Sequence, residues 1–239
     1  MRRLKIIALV QARLDSTRLP RKIVRPLAGY PMLYQLCERL QRTPSIHKVV
    51  VIAPQKNKPY LQNLVPAKVQ VLGPRTHEDD LVRRHLMAAQ YCHADIIVRV
   101  PSDNPCVDPE HVEEAIASYR NFPWIFYSNT SVRLNTGVWL DGVGAEVFSY
   151  SRLQWLDRMA TTPAEREHPH LVFQELGLIP WYADWKATGG GATLRLDVNT
   201  MEDYAFINDV YQHFGHNRFT TQYVLECPLV KDRLYAQAC

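Results

Sequence analysis

Short apolar runs separated by stretches of helical periodicity constrain this chain more than any other feature. Lys5–Val10, Val49–Ile52, Val69–Leu72, Ile96–Val100 and Trp124–Tyr127 are such runs. Most lack an apolar/polar alternation, which fits strands covered on both faces. Between them, Leu33, Leu36, Cys37 and Leu40 recur at i, i+3, i+4 and i+7, as do Val112, Ala115, Ile116 and Tyr119, the stripe of a helix packed on a core. Asp108 followed by Pro109 marks the start of the second helix, as N-cap and first helical residue. Strands alternating with helices predict an α/β fold, a mostly parallel central sheet with helices on both faces.

The second half is less regular. Ala145–Phe148, Leu178–Tyr182 and Thr193–Leu196 read as strands, and Ser151–Ala160 and Ala164–Glu175 as helices. Gly189-Gly190-Gly191 reads as a turn. Thr200 with Asp203 three residues on resembles a capping box, opening a helix with a stripe of Ile207, Val210, Tyr211 and Phe214. No repeat or linker interrupts the pattern. The expectation is a single domain over 1–239, with a less regular region around 130–192.

With 239 residues, 46% of them hydrophobic, the chain can bury a full core. The N-terminal Met-Arg-Arg-Leu-Lys looks like the start of a signal peptide, but the apolar run Ile6–Val10 is too short and Gln11 and Arg13 follow it. It reads as a first strand. No run approaches the roughly 18 apolar residues of a membrane span. The five cysteines are irregularly spaced, without C-x-x-C, which fits reduced thiols and a cytoplasmic setting. His168, His170, His213 and His216 lack further ligands at zinc spacing and read as surface residues. Trp124, Phe126 and Tyr127 read as core.

The net charge is only +4, yet Arg13, Arg18, Arg21, Lys22 and Arg25 crowd one stretch. In open α/β sheets, ligands sit beyond the carboxyl ends of the strands, where the loop after Val10 begins. Its arginines, lysine and hydroxyls suit phosphate oxygens. It lacks the G-x-x-x-x-G-K-[ST] pattern and any glycine. From the residues alone it is a polyanion site or a solvated basic turn.

Gln11-Ala12-Arg13, then Ser16-Thr17-Arg18-Leu19-Pro20 and Lys22, resembles the signature loop of the CMP-sugar-acid synthetases, the acylneuraminate and Kdo cytidylyltransferases, in the branch of the spore-coat polysaccharide biosynthesis protein F. The likeness continues through Pro26–Leu33, Glu78–Leu81, Arg99–Pro109, Glu165–His168 and Leu194–Asp203. It implies a Rossmann-like, GT-A-like nucleotidyltransferase fold, transfer of CMP from CTP to an acidic acceptor with release of pyrophosphate, magnesium as cofactor, a homodimer, and no nucleic-acid or membrane partner.

The resemblance also implies roles. Gln11, Ala12, Arg13, Ser16, Arg18 and Lys22 would bind the nucleotide, with Glu78 and Asp79 where the family reads the cytosine ring. Asp103 and Asp197 would hold the metal, and with Arg13 and Lys22 carry catalysis. Gly144, Glu146, Arg166 and His168 would face the acceptor. Attack on the α-phosphorus builds charge on the leaving pyrophosphate, so catalysis is mainly positioning and charge neutralisation. Magnesium needs only one or two carboxylates besides phosphates and water. If the strands ending before Asp103 and Asp197 neighbour each other in the sheet, both carboxylates reach one edge. Bland alternatives stay open: both aspartates are also good turn residues, and Glu165–His168 could be a charged helix start.

One position departs from the family. A stretch usually reading Gly-x-Asp-x-Glu has Gly144 at the aspartate, with Glu146 retained. Gly144 either makes room for an acceptor of different shape or eases a bend. Rival functions are a GT-A-type glycosyltransferase, a cytidylyltransferase acting on a phosphonate or phosphate, and a non-catalytic nucleotide- or RNA-binding module.

Overall fold

The computed structural model describes residues 3–121, 127–134, 139–168, 170–176 and 193–238. The first run forms β1 (Ile6–Gln11) at the centre of the main sheet. Beside it lie β4 (Lys48–Ile52) and β6 (Ile96–Pro101), with β5 (Gln70–Leu72) outside β4, all parallel. β10 (Glu146–Ser149) pairs antiparallel with β6, and β7 (Tyr127–Ser128) antiparallel with β10. The sheet is therefore mostly parallel with a reversed edge, in the order β5-β4-β1-β6-β10-β7.

The missing alternation has a direct cause. Ile6, Ala8 and Val10 of β1 enter one core with Leu33 and Leu36 of α1 (Met32–Leu40), Val112 of α4 (Pro109–Asn121) and Ile207 of α8 (Met201–Phe214). Ile7 and Leu9 enter a second core on the opposite face, with Val82 of α3 (Leu81–Cys92), Leu153 of α5 (Tyr150–Met159) and Phe173 of α7 (His170–Glu175). Each face is covered, so Ile6 to Val10 of β1 form one continuous apolar run.

Around this frame lie a small hairpin, β2 (Pro26–Leu27) with β3 (Tyr30–Pro31), the short helix α2 (Lys58–Gln62), and the C-terminal helices α9 (Thr221–Glu226) and α10 (Pro228–Ala238). A second sheet has the order β11-β9-β8, from β8 (Ser131–Arg133), β9 (Trp139–Asp141) and β11 (Thr193–Arg195). Among the described residues no helix is long and apolar enough to cross a membrane.

Two expectations change. The helix over Ala164–Glu175 is two helices, α6 (Pro163–Glu167) and α7. Pro169 follows the first in sequence, and the residue before a proline is driven out of helical geometry, as His168 is at φ −122°, ψ 84°. The strand ending before Asp197 is not in the sheet that carries Asp103. The caps are as read: Asp108 Oδ1 accepts from Glu110 N at 3.0 Å, and Thr200 and Asp203 form the full capping box of α8. Leu178–Tyr182, Gly189–Gly191 and positions 124–126 lie outside the described residues.

Candidate active site

The loop after β1 borders a cleft of about 230 Å³ at the carboxyl end of the central strands. Gln11, Ala12, Arg13, Ser16, Arg18 and Lys22 all reach it, joined by Asp103 from beyond β6 and His168 from beyond α6. The loop is folded by its own backbone: Arg21 N donates to Leu14 O at 3.2 Å, and Ser16 Oγ accepts from Leu19 N at 3.4 Å. A 3₁₀ turn, Lys22–Val24, follows.

Each cation of the loop meets an oxygen. Lys22 Nζ is 2.8 Å from Asp103 Oδ2 and 2.8 Å from Val198 O, with Asn199 Oδ1 at 3.4 Å. Arg18 Nη2 donates to Asn199 Oδ1 at 2.7 Å. Arg13 spans the mouth, 3.5 Å from Asp79 and 3.3 Å from Glu167. These oxygens stand where phosphate oxygens could replace them.

The loop bearing Asp103 is pinned from behind. Arg39, fully buried in α1, donates to Val107 O at 2.6 Å and to Asn217 O at 2.7 Å, and its guanidinium lies 4.4 Å from the Phe219 ring centre. Tyr211 Oη donates to Pro105 O at 2.6 Å. Rigid backing of this kind preorganises a carboxylate.

The chain beside Asp197 reaches the Asp103 loop although their strands lie in different sheets, and of the two aspartates Asp103 lines the cleft. Val198 N donates to Asp103 O at 2.8 Å, so the exit of β11 docks on the Asp103 loop. Asp197 is gripped by Arg195 through Nε at 2.9 Å and Nη2 at 2.7 Å, and it accepts from Asn199 Nδ2. The close approach depends on Gly142, at φ +92°: a Cβ there would fall 2.7 Å from Asp197 N. Asp141 lies on the same acidic side. Burial, and then the neighbouring Asp197 charge, raise its carboxyl above the usual aspartate range.

The residues around the cytosine reading divide. Asp79 holds Arg13, whereas Glu78 pairs with Lys56 at 2.7 Å. Glu78 borders a hollow of about 460 Å³ beyond the ends of β4 and β5, between Pro54–Lys56 and Pro74–Glu78. Its turn is held by the buried Arg84, whose Nη2 donates to Glu78 O at 2.7 Å.

Three residues read as facing the acceptor do not line this cleft. Arg166 donates to Asp80 at 2.9 Å, to Asp157 Oδ1 at 2.8 Å and to Asp157 O at 2.8 Å, tying α6 to α3 and α5. Glu146 is buried in an ion pair with Arg99. Gly144 has no room beside it, since a Cβ would fall 2.0 Å from Asn129 O. The glycine is required by a strand–loop contact, so space for a larger acceptor is not its cause. Of the acceptor set only His168 lines the cleft.

Asn199 and Arg99 were missed in the sequence. Asn199 could have been noticed, because Asp197 and Asn199 are two apart in an extended exit and so share a side. Arg99 carries no such signal, being one charged residue within an apolar strand.

The parallel sheet, with its cation-lined cleft at the carboxyl edge, defines a nucleotidyltransferase of Rossmann-like fold. The cytidylyltransferase family model matches residues 7–218, and the chain belongs to that family, as a CTP-dependent nucleotidyltransferase. It is 26% identical over 220 residues to the spore coat polysaccharide biosynthesis protein SpsF of Bacillus subtilis, covering 88% of each chain. Its structure is similar to that of a cytidylyltransferase from Leptospira borgpetersenii, at TM-score 0.75 and 26% identity over 98% of this chain and 97% of that one. A CMP:2-keto-3-deoxy-manno-octonic acid synthetase solved with CTP shares the fold at TM-score 0.63 and 16% identity, over 88% of this chain and 99% of that one.

Proposed function

We propose that this enzyme transfers CMP from CTP to the oxygen of an acidic sugar, a nonulosonic or related sugar acid, with release of pyrophosphate, in the synthesis of a surface glycan. The observation that carries the reading is the seating of Arg13, Arg18 and Lys22 opposite Asp103 in one cleft. In this reading Arg18 and Lys22 exchange Asn199 and Asp103 for phosphate oxygens, and Arg13 leaves Asp79 and Glu167 for the triphosphate tail. The hollow beside Glu78 takes the base. His168 lies on the acceptor side. The reading takes residues 1–239 as one domain acting as a cytoplasmic homodimer, without nucleic acid.

Magnesium fits the donor set. The Lys22 ammonium already rests among three oxygens, from Asp103, Val198 and Asn199, a cradle of hard donors suited to a cation. Among the described residues no three His, Cys, Asp or Glu gather around one point, but magnesium on a nucleotide is often held by one or two carboxylates. Asp103 and Asp197 would hold it, and it would supply charge neutralisation on the phosphates. Arg195 and Asn199 keep Asp197 oriented.

The test is pyrophosphate release with each of four nucleoside triphosphates against a panel of sugar acids, phosphonates and phosphate esters. The expected result is CTP-dependent release with a sugar acid, abolished by a chelator. Release of a nucleoside diphosphate from a nucleotide sugar, or faster turnover with UTP or GTP, would overturn the reading.

A further inference from the structure

Arg99 is a charged residue inside the apolar strand β6. It is 4% exposed and its partner Glu146 is 2% exposed. Arg99 Nη1 donates to Glu146 Oε2 across the antiparallel pairing of β6 with β10, where the two residues are in register. The other side of the guanidinium reaches Gln11, with Nε 3.2 Å and Nη2 2.9 Å from Oε1. A buried ion pair is weak evidence for stability, since an apolar pair of similar volume often serves as well. Here it also fixes a neighbour at the cleft.

An amide side chain can present either its oxygen or its NH2, and its orientation is usually ambiguous. Arg99 removes the ambiguity, because a guanidinium has only donors. Whatever faces it must be Oε1. Gln11 lines the cleft, and Nε2 makes no hydrogen bond among the described residues. It sits at the head of the loop that supplies Arg13, Arg18 and Lys22, whose side chains offer only donors.

We propose that Arg99, backed by Glu146, is a positioning residue that locks the Gln11 carboxamide with its NH2 toward the cleft, where it donates to an anionic oxygen of the bound ligand. That oxygen belongs to a nucleotide phosphate or to the carboxylate of the acceptor. The role rests on the cytidylyl-transfer reading for its ligand, but the orientation of Gln11 does not.

The test uses the full-length enzyme with CTP and inorganic pyrophosphate as calorimetric probes, and acceptor KM as a separate measure. Gln11→Glu keeps an oxygen for Arg99 but aims an acceptor, not a donor, at the ligand. It is expected to weaken the contacted ligand about tenfold or more. A loss in CTP affinity assigns the phosphate; a loss confined to acceptor KM assigns the carboxylate. The double variant Arg99→Met with Glu146→Leu removes both buried charges together and is expected to fold. It should reproduce the loss seen in Gln11→Met, and adding Gln11→Met to it should cost little more. Arg99→Lys, which keeps the charge but not the fork, should recover part of the loss. Losses that simply add, or Gln11→Glu binding all ligands as the wild type does, would overturn the proposal. If the double variant does not fold, the two Gln11 variants still decide. If the wild type binds pyrophosphate but not CTP, the cytidylyl-transfer reading fails while the pyrophosphate series still tests Gln11. Binding of neither overturns both.

Discussion

Arg13 and Arg166 are the same residue type, one lining the cleft and one on α6 outside it, and they do different work. The side chain of Arg13 is 51% exposed and reaches two carboxylates at 3.3 and 3.5 Å. That of Arg166 is 20% exposed, with five hydrogen bonds to Asp80, Asp157 and Ala160 O. An exposed pair is worth little and is readily exchanged for phosphate; a partly buried, multiply bonded guanidinium is expensive to release. At Arg13 the cleft therefore offers a charge that a ligand can take over. Arg166 uses its charge to hold helices together.

The largest expected effect tests the cleft. Asp103→Asn keeps the size of the side chain and an oxygen for Lys22 but removes the charge. Turnover should fall by several kcal/mol, about 100-fold or more, while melting changes little. Pyrophosphate release at saturating CTP measures it, and near wild-type kcat would remove Asp103 from the chemistry.

A comparable number, but in stability, belongs to Gly144, outside the cleft. Gly144→Asp would drive a side chain into the Asn129 backbone. Overpacking against backbone should cost about 3 kcal/mol in chemical denaturation. A variant of unchanged stability with a selectively raised acceptor KM would mean that position 144 does face the acceptor.

The comparison sharpens when Arg166→Ala and Arg18→Ala are measured together. Arg166→Ala should lower stability by about 2 kcal/mol through the carboxylates it strands, with CTP affinity per folded molecule unchanged. Arg18→Ala should do the reverse, weakening CTP by about 1.5 kcal/mol and CMP far less, with melting nearly intact. Calorimetric titration and thermal melting on both variants separate the two; equal losses for CMP and CTP in Arg18→Ala would detach the loop from the outer phosphates.

The same contrast explains what could be read in the sequence. β1, β4, β5 and β6 were legible because two cores flank them and leave continuous apolar runs. The small sheet was legible only at β11, within the run Thr193–Leu196; β8 (Ser-Val-Arg) and β9 (Trp-Leu-Asp) mix polar and apolar residues and leave no apolar run. The signature loop was legible because its donors are contiguous. Arg166 could not be told from a binding arginine, since its partners come from residue 80 and residue 157, a pairing that only tertiary structure creates. The two readings of Gly144 could not be separated for a related reason: the atom that excludes a side chain there belongs to Asn129, on another strand's exit.

The smallest effect concerns Asp141, on the acidic side of the site. Its carboxyl is raised by burial and by the adjacent Asp197 charge, partly offset by a hydrogen bond from Ser131 Oγ at 2.9 Å. The folded state therefore holds this proton more tightly than the unfolded chain does. The ionised carboxylate contributes a penalty at neutral pH, and that penalty disappears as pH falls below the ordinary aspartate value near 3.8. Asp141→Asn mimics the protonated form and keeps an oxygen for Ser131. In metal-free protein it should raise the melting temperature slightly at pH 7, with the gain shrinking as pH is lowered toward 4. Metal should oppose this gain: a cation beside Asp197 favours the ionised neighbour, so the advantage of the variant should narrow on adding magnesium with CTP. A gain that persists unchanged at pH 4, or that is indifferent to magnesium and CTP, would place Asp141 outside the electrostatic field of the Asp197 site.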